Sequence, residues 1–246
     1  MEPPGRANAV LSVIRTVAAT GSTNADLLAL ARAGAADEGL WLRAEQQTAG
    51  RGRQGRTWVS PPGNLYASTV VRLRDVDLAA ATLGFVAAVA LEDVVSMLIR
   101  RDGLMLKWPN DLLIDGAKLS GILLERAEDA VVIGFGVNLA HHPALPDRLT
   151  TSLAAQGCAV APAAFVAQLA ERLTTWLARW REGSFDSIRG RWLERAHPPG
   201  TPLRASLPDG STVNGSFEDL DAHGALILRL ASGERRVIHA GDVFLV

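Results

Sequence analysis

The sequence predicts an α+β protein made of two units, a larger mixed unit at residues 1–197 and a small all-β unit at residues 198–246. Apolar residues make up 48% of the 246 residues, which is enough for a sizeable core. Helical and strand-like patterns are mixed in the larger unit, without the repeats of a solenoid. After His-Pro-Pro-Gly at 197–200, the chain contains only short strand-like segments separated by turn residues.

Four segments of the larger unit have the apolar spacing of helices. In the first, residues 22–33, Thr23 followed by Asp26 fits a capping box with Thr23 as the N-cap. The other three segments are 78–100, which is rich in alanine, 162–182 and 185–196. We therefore expect helices on a sheet rather than an all-β unit.

Strand patterns in the larger unit fall on both sides of the second helix. Asp115-Gly116 is a strong hairpin signal between two of the strands. The predicted strands are 39–47, 64–73, 104–108, 112–114, 118–125 and 130–139. In the small unit the strand candidates are 202–207, 211–219, 225–230 and 235–239. Their even spacing predicts a five-stranded β-barrel of about 46 residues.

Composition excludes several classes of protein. A net charge of −1, from 25 basic and 26 acidic residues, argues against a protein that coats nucleic acid. Cys158 is the only cysteine, which excludes an internal disulfide and a cysteine-built metal site, and we expect it to be a small interior or partly exposed residue. The N-terminus lacks the pattern of a signal peptide, and no apolar stretch reaches the expected length of a membrane span. We expect a cytoplasmic protein.

Residues 49–58, AGRGRQGRTW, form an arginine- and glycine-rich loop between two predicted strands. Three interpretations are open: a solvated surface loop, an anion-binding loop whose arginines and glycine amides converge on phosphate or carboxylate, and an RNA-binding segment. Trp58 offers either an aromatic face to a heterocycle or a core anchor. The loop residues concerned are Gly50, Arg51, Gly52, Arg53, Gly55 and Arg56.

Residues 106–125 place charged and amide side chains among strongly apolar strands. Lys118 either simply begins a strand after the hairpin turn or points into a pocket, where a buried ammonium needs a partner or a ligand. Asn110 and Asp111 side by side suit a hydrated magnesium ion and its phosphate. Residues 132–139 carry two glycines two positions apart, which lets a group pack against the strand. The sequence lacks the phosphate-loop, HExxH and GxSxG motifs.

Taken together, these motifs resemble biotin protein ligases. The matching stretches are STN at 22–24, EQQTAGRGRQGRTWVSPPGNLYAS at 45–68, KWPNDLLIDGAKLSGILLE at 107–125 and IGFGVNL at 133–139. The resemblance implies a class II synthetase-like catalytic domain, with a mixed sheet and flanking helices, and a small SH3-like barrel at the C-terminus. It also implies that ATP and biotin react to biotinyl-5′-AMP, from which biotin passes to a lysine of a carboxylase's biotin carboxyl carrier domain.

The resemblance also assigns roles to individual residues. Lys118, Arg51 and Asp111 would be catalytic, with Mg²⁺ on the phosphates near Asp111. Three roles are open for Asp111: it orients or deprotonates the incoming carrier lysine, it is a magnesium ligand, or it caps the end of the hairpin. Trp192 is a candidate neighbour of the nucleotide. The biotin-binding set would be Ser22, Thr23, Asn24, Gln47, Gly50, Arg51, Gly52, Arg53, Tyr66, Lys118, Gly121 and Gly134. The ATP-binding set would be Arg51, Arg53, Arg56, Trp58, Lys107, Asn110, Asp111 and Asn138.

Some members of the family carry an N-terminal winged-helix domain that binds DNA. Only 21 residues precede Ser22, so we expect the monofunctional form, with no DNA and no membrane as partner. A monomer and a homodimer both stay open. We also expect residues 50–56 to be poorly ordered without ligand, so that the loop closes over a labile acyl adenylate. The alternatives are a lipoate or octanoate ligase or transferase of the same fold and, from another class, an RNA-binding module.

Overall fold

The structure is a computed structural model that describes residues 12–99, 102–146, 148–183 and 185–245. The larger sheet has seven strands: Val13–Thr20 (β1), Leu40–Gln47 (β2), Leu65–Arg72 (β3), Leu104–Lys107 (β4), Asp111–Ile114 (β5), Ala117–Ala127 (β6) and Ala130–Val137 (β7). Their order across the sheet is β1-β2-β3-β7-β6-β5-β4. β1 pairs with β2 in parallel and the remaining pairs are antiparallel, so the sheet is mixed.

Helices cover both faces of this sheet. On one face α1, Thr23–Arg32, packs its leucines against β2, β3 and β7 in a small apolar cluster. On the other face lie α2, Leu83–Leu98, α3, Pro162–Arg181, and α4, Phe185–Leu193, which share the main core with the sheet. The predicted end of the second helix, residue 100, lies outside the described residues, as do residues 1–11 and 246 at the ends of the predicted units.

The start of α1 differs from the capping box expected for Thr23. Ser22 is the N-cap: its backbone is extended, and its Oγ accepts a hydrogen bond from Ala25 N at 3.5 Å. Thr23 is the first helical residue, and its hydroxyl instead lies 2.7 Å from Ser68 Oγ. The expectation was wrong because a tertiary hydrogen bond occupies the side chain that the local pattern assigned to the cap.

Residues 80–98 include α2 and the turn before it. This segment has a mean hydropathy of 1.7 and, by length and composition alone, is long enough to cross a membrane. The expectation that no apolar stretch reaches that length was therefore wrong for this helix. Its most apolar 18-residue stretch is 67% buried inside the protein. The core helix of a soluble protein can have the same length and composition.

Asp115 and Gly116 form the predicted hairpin turn between β5 and β6. Both have positive φ, 49° and 78°, as the tight two-residue turn requires. By contrast, β1 was not predicted, because it lies at the sheet edge and alternates between exposed and half-buried residues such as Val13, 55% exposed. A strand with so little apolar burial carries a weak sequence pattern.

A second, five-stranded antiparallel sheet, here the C-terminal module, occupies residues 202–245. Its strands are Pro202–Ser206 (β8), Thr212–Leu220 (β9), Leu226–Arg229 (β10), Arg235–Ile238 (β11) and Asp242–Leu245 (β12). They lie in the order β11-β10-β9-β8-β12. The predicted fold class, a mixed sheet with flanking helices and a small SH3-like module, is confirmed. The fifth strand, β12, was missing from the candidate strands.

The C-terminal module packs directly on the larger unit. Trp108 Nε1 donates to Gly224 O at 3.0 Å, and Arg189 Nε donates to Leu220 O at 2.8 Å. Trp192 is 2% exposed and packs edge-on against Phe85 in the core, and its suggested place beside a nucleotide stays a prediction. One continuous apolar cluster includes residues of both sheets. The division at 197/198 stays a prediction.

Candidate functional site

A cavity of about 250 Å³ lies where the start of α1, the arginine loop, the β5–β6 hairpin and β12 meet. Sixteen of the eighteen residues predicted to bind or catalyse line it: Ser22, Thr23, Asn24, Gln47, Arg51, Gly52, Arg53, Arg56, Trp58, Lys107, Asn110, Asp111, Lys118, Gly121, Gly134 and Asn138. Motifs that are far apart in the sequence thus converge on one cavity. Their individual roles stay predictions.

The two other predicted residues, Tyr66 and Gly50, do not line the cavity. Tyr66 is 1% exposed and donates its hydroxyl to Pro61 O at 2.8 Å; burial raises the pKa of Tyr66 to about 12. A Cβ on Gly50 would lie 2.5 Å from Trp58 O and 2.6 Å from Ser60 Oγ. Gly50 therefore allows the loop to close at its base, and the biotin-binding roles of both residues stay predictions.

One end of the cavity, here the neutral end, is formed by Thr23, Asn24, Gln47 and Ser68. Gln47 Oε1 accepts from Thr23 N at 2.9 Å and from Thr23 Oγ1 at 3.2 Å, and Ser68 Oγ donates to Asn24 Oδ1 at 2.6 Å. Three of the four side chains are at least 95% buried, and Asn24 Nδ2 also donates to Glu125 Oε2 at 2.9 Å, so these four uncharged side chains are held rigidly. Sequence reasoning missed Ser68. The signal that could have found it is its position as a small polar residue inside the apolar strand β3.

Glycines form the floor of the cavity. Gly121 on β6 lies opposite Gly136 on β7, and the indole of Trp58 lies on this pair. A Cβ on Gly136 would be 2.5 Å from Trp58 Cε2, and a Cβ on Gly134 would overlap Asn24 Oδ1. These glycines are required by close approach rather than by backbone conformation. Trp58 Nε1 is buried and has no hydrogen-bond partner in the described part of the chain.

The arginine loop is a short hairpin. Gly52 N donates to Arg56 O at 2.7 Å, and Trp58 N donates to Gly50 O at 2.9 Å. At its tip Gln54 and Gly55 both have positive φ, 55° and 71°. The hairpin directs its arginines towards the cavity and towards β12. The expectation that residues 50–56 are poorly ordered without ligand stays a prediction.

The opposite, cationic end is built around two carboxylates. At the first, Asp111 Oδ1 lies 2.6 Å from Lys118 Nζ and Oδ2 lies 3.2 Å from Lys107 Nζ. These are the only two lysines in the sequence. Burial would raise the pKa of Asp111, but the two ammonium groups outweigh burial and lower it. Burial lowers the pKa of Lys118, and Asp111 opposes that effect only in part.

The second carboxylate, Asp242, comes from the C-terminal module. Arg53 Nη1 donates to Asp242 Oδ1 at 3.0 Å, and Arg56 Nη2 donates to Asp242 Oδ2. Sequence reasoning missed Asp242, because β12 was not among the strand candidates. Among the described residues, six basic and two acidic side chains line the cavity. This end therefore carries a positive excess suited to an anion.

A directly bound metal ion does not fit this site. Both oxygens of Asp111 face lysine ammonium groups, and both oxygens of Asp242 face guanidinium groups. Within the described ranges, no cluster of three or more His, Cys, Asp or Glu side chains could hold a metal. The predicted Mg²⁺ near Asp111 therefore lacks a free carboxylate ligand in this arrangement.

Two family models match the chain. Residues 19–138 match the Biotin/lipoate A/B protein ligase family, and residues 202–246 match the Biotin protein ligase C terminal domain. The first range contains most of the cavity lining, and the second contains Asp242. The two matches correspond to the two sheets of the structure.

Individual proteins agree with the family models. A biotin--[acetyl-CoA-carboxylase] ligase of Paracoccus denitrificans is 42% identical over 240 residues, covering 93% of this chain and 98% of that protein. The ligase of the same name from Mycobacterium tuberculosis is 40% identical over 234 residues, covering 92% and 86%. The solved biotin protein ligase of Aquifex aeolicus, in complex with biotin and ATP, superposes with a TM-score of 0.83 at 23% identity, covering 95% and 98%. The chain belongs to the biotin protein ligase family.

Proposed function

We propose that this chain is an ATP-dependent ligase that activates biotin as biotinyl-5′-AMP and transfers the biotinyl group to a lysine of a biotin carboxyl carrier domain. One observation carries the proposal. A single cavity joins a rigid neutral hydrogen-bonding end to an end lined by arginines and lysines, in a chain of the biotin protein ligase family. The first end suits an uncharged polar ring, and the second suits carboxylate and phosphate.

The neutral end offers hydrogen-bond donors and acceptors at fixed positions. The ureido ring of biotin has two N–H donors and one carbonyl acceptor, and the hydroxyls and amides of Thr23, Gln47, Ser68 and Asn24 can satisfy both kinds. Their mutual hydrogen bonds orient them before the ligand arrives. The glycine floor lets the Trp58 indole and the Asn24 amide lie close against the sheet. Biotin would bind with its carboxylate towards Lys118.

Adenylation then brings two anions together. A biotin carboxylate oxygen attacks the α-phosphorus of ATP, a carboxyl oxygen–phosphorus bond forms, and the bond to the β-phosphate breaks with release of pyrophosphate. The charge on the phosphoryl oxygens must be balanced where it develops. Lys118 and Arg51 line the cavity from β6 and from the arginine loop, and we propose that they neutralise the reacting carboxylate and phosphate.

Asp111 orients the ammonium group of Lys118. Its carboxylate holds Lys118 Nζ at 2.6 Å, and its lowered pKa makes it a poor proton acceptor. We therefore propose a positioning role for Asp111 rather than that of a general base. In the second step the uncharged amine of the carrier lysine attacks the biotinyl carbonyl, a C–N bond forms, AMP leaves as the carbonyl–oxygen bond breaks, and the amine nitrogen releases one proton to solvent. Mg²⁺ enters as part of the Mg–ATP substrate.

The decisive experiment combines two measurements on the purified chain. With biotin, Mg–ATP and labelled pyrophosphate, we expect biotin-dependent exchange of label into ATP. With an acetyl-CoA carboxylase carrier domain added, we expect the mass of the carrier to rise by one biotinyl group. A carrier domain whose target lysine is replaced by arginine is the control. Absence of biotin-dependent exchange would reject the proposal.

A parallel assay separates biotin from lipoate. The two acids share a carboxylate on an aliphatic chain, but lipoate carries a dithiolane ring with no N–H group or carbonyl. The hydrogen-bonding groups of the neutral end would then be desolvated without compensation. We expect exchange with biotin and none with lipoate at equal concentration. Equal exchange with both acids would contradict the proposed binding of the ureido ring.

A further inference from the structure

Asp242 stands apart from the other acidic residues of the C-terminal module because it points into the cavity. It is the first residue of β12, and its side chain is only 15% exposed. Its two oxygens accept hydrogen bonds from two arginines of the arginine loop, Arg53 and Arg56. One carboxylate thus joins a loop near residue 55 to a strand almost 190 positions later in the chain.

Arg53 is held by several contacts on one side of its guanidinium. Its Nη1 donates to Asp242 Oδ1 at 3.0 Å, to Gly241 O at 3.1 Å and to Asn110 Oδ1 at 3.4 Å. Among the described residues, every hydrogen bond of the Arg53 side chain uses this one nitrogen. The Nη2 and Nε groups of Arg53 therefore remain to donate to a phosphate while Nη1 keeps its protein partners.

The strand that carries Asp242 also contacts the other charged centre. Lys107 Nζ donates to Val243 O at 3.3 Å and lies 5.7 Å from the centre of the Phe244 ring. Lys107 in turn pairs with Asp111, which holds Lys118. A single strand of the C-terminal module thus touches cations of the arginine loop and of the lysine pair.

From this geometry we propose that Asp242 is a positioning residue for the nucleotide: it holds Arg53 and Arg56 side by side at the cavity so that ATP phosphates meet two oriented guanidinium groups. The identity of the ligand as ATP rests on the proposed function, whereas the effect of Asp242 on the arginine loop does not depend on that function. The C-terminal module is then part of the adenylation site. Without Asp242, ATP binding would itself have to order the two arginine side chains and the loop.

The first test is made on the ligand-free protein and does not depend on catalysis. Trypsin cleaves after arginine, so its cleavage rate at residues 51–56 reports opening of the loop. We expect Asp242→Asn to raise that rate about 5-fold or more, because loss of about 1 kcal/mol shifts an opening equilibrium by that factor. Asp242→Glu should restore most of the protection. Equal rates in wild type and Asp242→Asn would overturn the proposal.

The second test separates nucleotide binding from module docking. In biotin-dependent pyrophosphate exchange, we expect Asp242→Asn to raise KM for ATP about 10-fold, with little change in kcat or in biotin affinity. This is the effect expected from losing one hydrogen bond between charged groups. Asp219→Asn is the matched control, because Asp219 pairs with Arg189 on α4 at 2.5 Å and so joins the same module to the larger unit elsewhere. A second control is Glu218→Gln, whose carboxylate pairs with Arg229 and Arg235 within the module.

The outcomes are distinct. A rise in KM for ATP in Asp242→Asn alone supports positioning, and a similar rise in Asp219→Asn would show that the effect comes from docking of the module. A fall in KM would show that Asp242 competes with phosphate, which also overturns the proposal. If Asp242 acts through Arg53, the double variant Arg53→Ala/Asp242→Asn should show no larger effect than Arg53→Ala alone. If the wild type shows no biotin-dependent exchange, the proposed function fails, while the trypsin result still decides whether Asp242 holds the loop.

Discussion

At the neutral end of the cavity, Thr23 contacts both Gln47 and Ser68 through hydrogen bonds, whereas at the cationic end two lysines meet Asp111 and two arginines meet Asp242. The neutral network sits mainly on helix and strand, in the interior of the larger unit. The charged groups come from a loop, a hairpin and the C-terminal module. Rigid neutral groups select a ligand by shape and hydrogen bonding, and charged groups on separate elements gather around an anion.

The largest effect is expected at the cationic end. Lys118→Ala should lower biotin-dependent pyrophosphate exchange about 1,000-fold, because the ammonium that meets the developing charge is lost. The fold should survive, since Asp111 keeps Lys107 as its partner at 3.2 Å. Exchange assays and thermal unfolding measure the two effects separately. Normal pyrophosphate release by the variant would remove Lys118 from the chemical step.

The next effect concerns the stability of the cationic end. Asp111→Asn leaves two half-buried ammonium groups without their counter-ion and should lower the free energy of unfolding by about 3 kcal/mol at pH 7, the lower end of the cost of breaking a buried ion pair. Because the pKa of Asp111 is lowered in the fold, its stabilising contribution is complete above the unfolded pKa of about 3.9 and is lost as pH falls through the folded pKa.

Urea unfolding at a series of pH values between 7 and 3 measures this contribution. We expect the wild type to lose stability over the acid end of that range more steeply than Asp111→Asn. Asp209→Asn is the control, since Asp209 is an exposed carboxylate that accepts hydrogen bonds from Ser211 in a turn of the C-terminal module. Parallel pH curves for the wild type and Asp111→Asn would show that Asp111 does not carry the effect.

At the neutral end, Gly134→Ala should weaken biotin binding about 10- to 100-fold. The added Cβ would overlap Asn24 Oδ1 and displace the network, a misfit of about 1–3 kcal/mol. Calorimetric titration with biotin measures the effect, while inorganic pyrophosphate binding at the cationic end should be unchanged. Gly190→Ala on α4 is the control, since a Cβ there meets nothing within 4 Å. Equal losses for both ligands would mean that the two ends are not independent.

The smallest effect is expected for the arginine loop. Arg51 is 47% exposed and lies 4.0 Å from Glu125, so its side chain is held loosely. Arg51→Ala should release biotinyl-AMP about 10-fold faster, the loss of one hydrogen bond to a charged ligand. The rate at which labelled biotinyl-AMP is released on dilution measures this effect. The control is Arg235→Ala, because Arg235 is another exposed arginine paired with a glutamate. Unaltered retention would exclude Arg51 from holding the intermediate.

The sequence alone determined the elements whose signals are local. Asp115-Gly116 specified the β5–β6 turn because two consecutive residues with positive φ need that chemistry, and the apolar spacing predicted the four α-helices of the described residues. The motifs around Arg51, Lys118 and Gly134 predicted sixteen residues that line one cavity, because residue type and spacing within each motif are specific.

Only the tertiary structure decided what depends on contacts between distant segments. The Thr23 hydroxyl contacts Ser68 and does not cap the helix, the Tyr66 hydroxyl donates to Pro61 O, and Asp242 on the last strand pairs with the arginine loop. The spacing of apolar residues along the chain indicates which side chains are buried, but it does not indicate which distant group each buried side chain contacts. Long-range hydrogen bonds and ion pairs form only after the sheets and helices have packed, and they decide which polar side chains face the ligand.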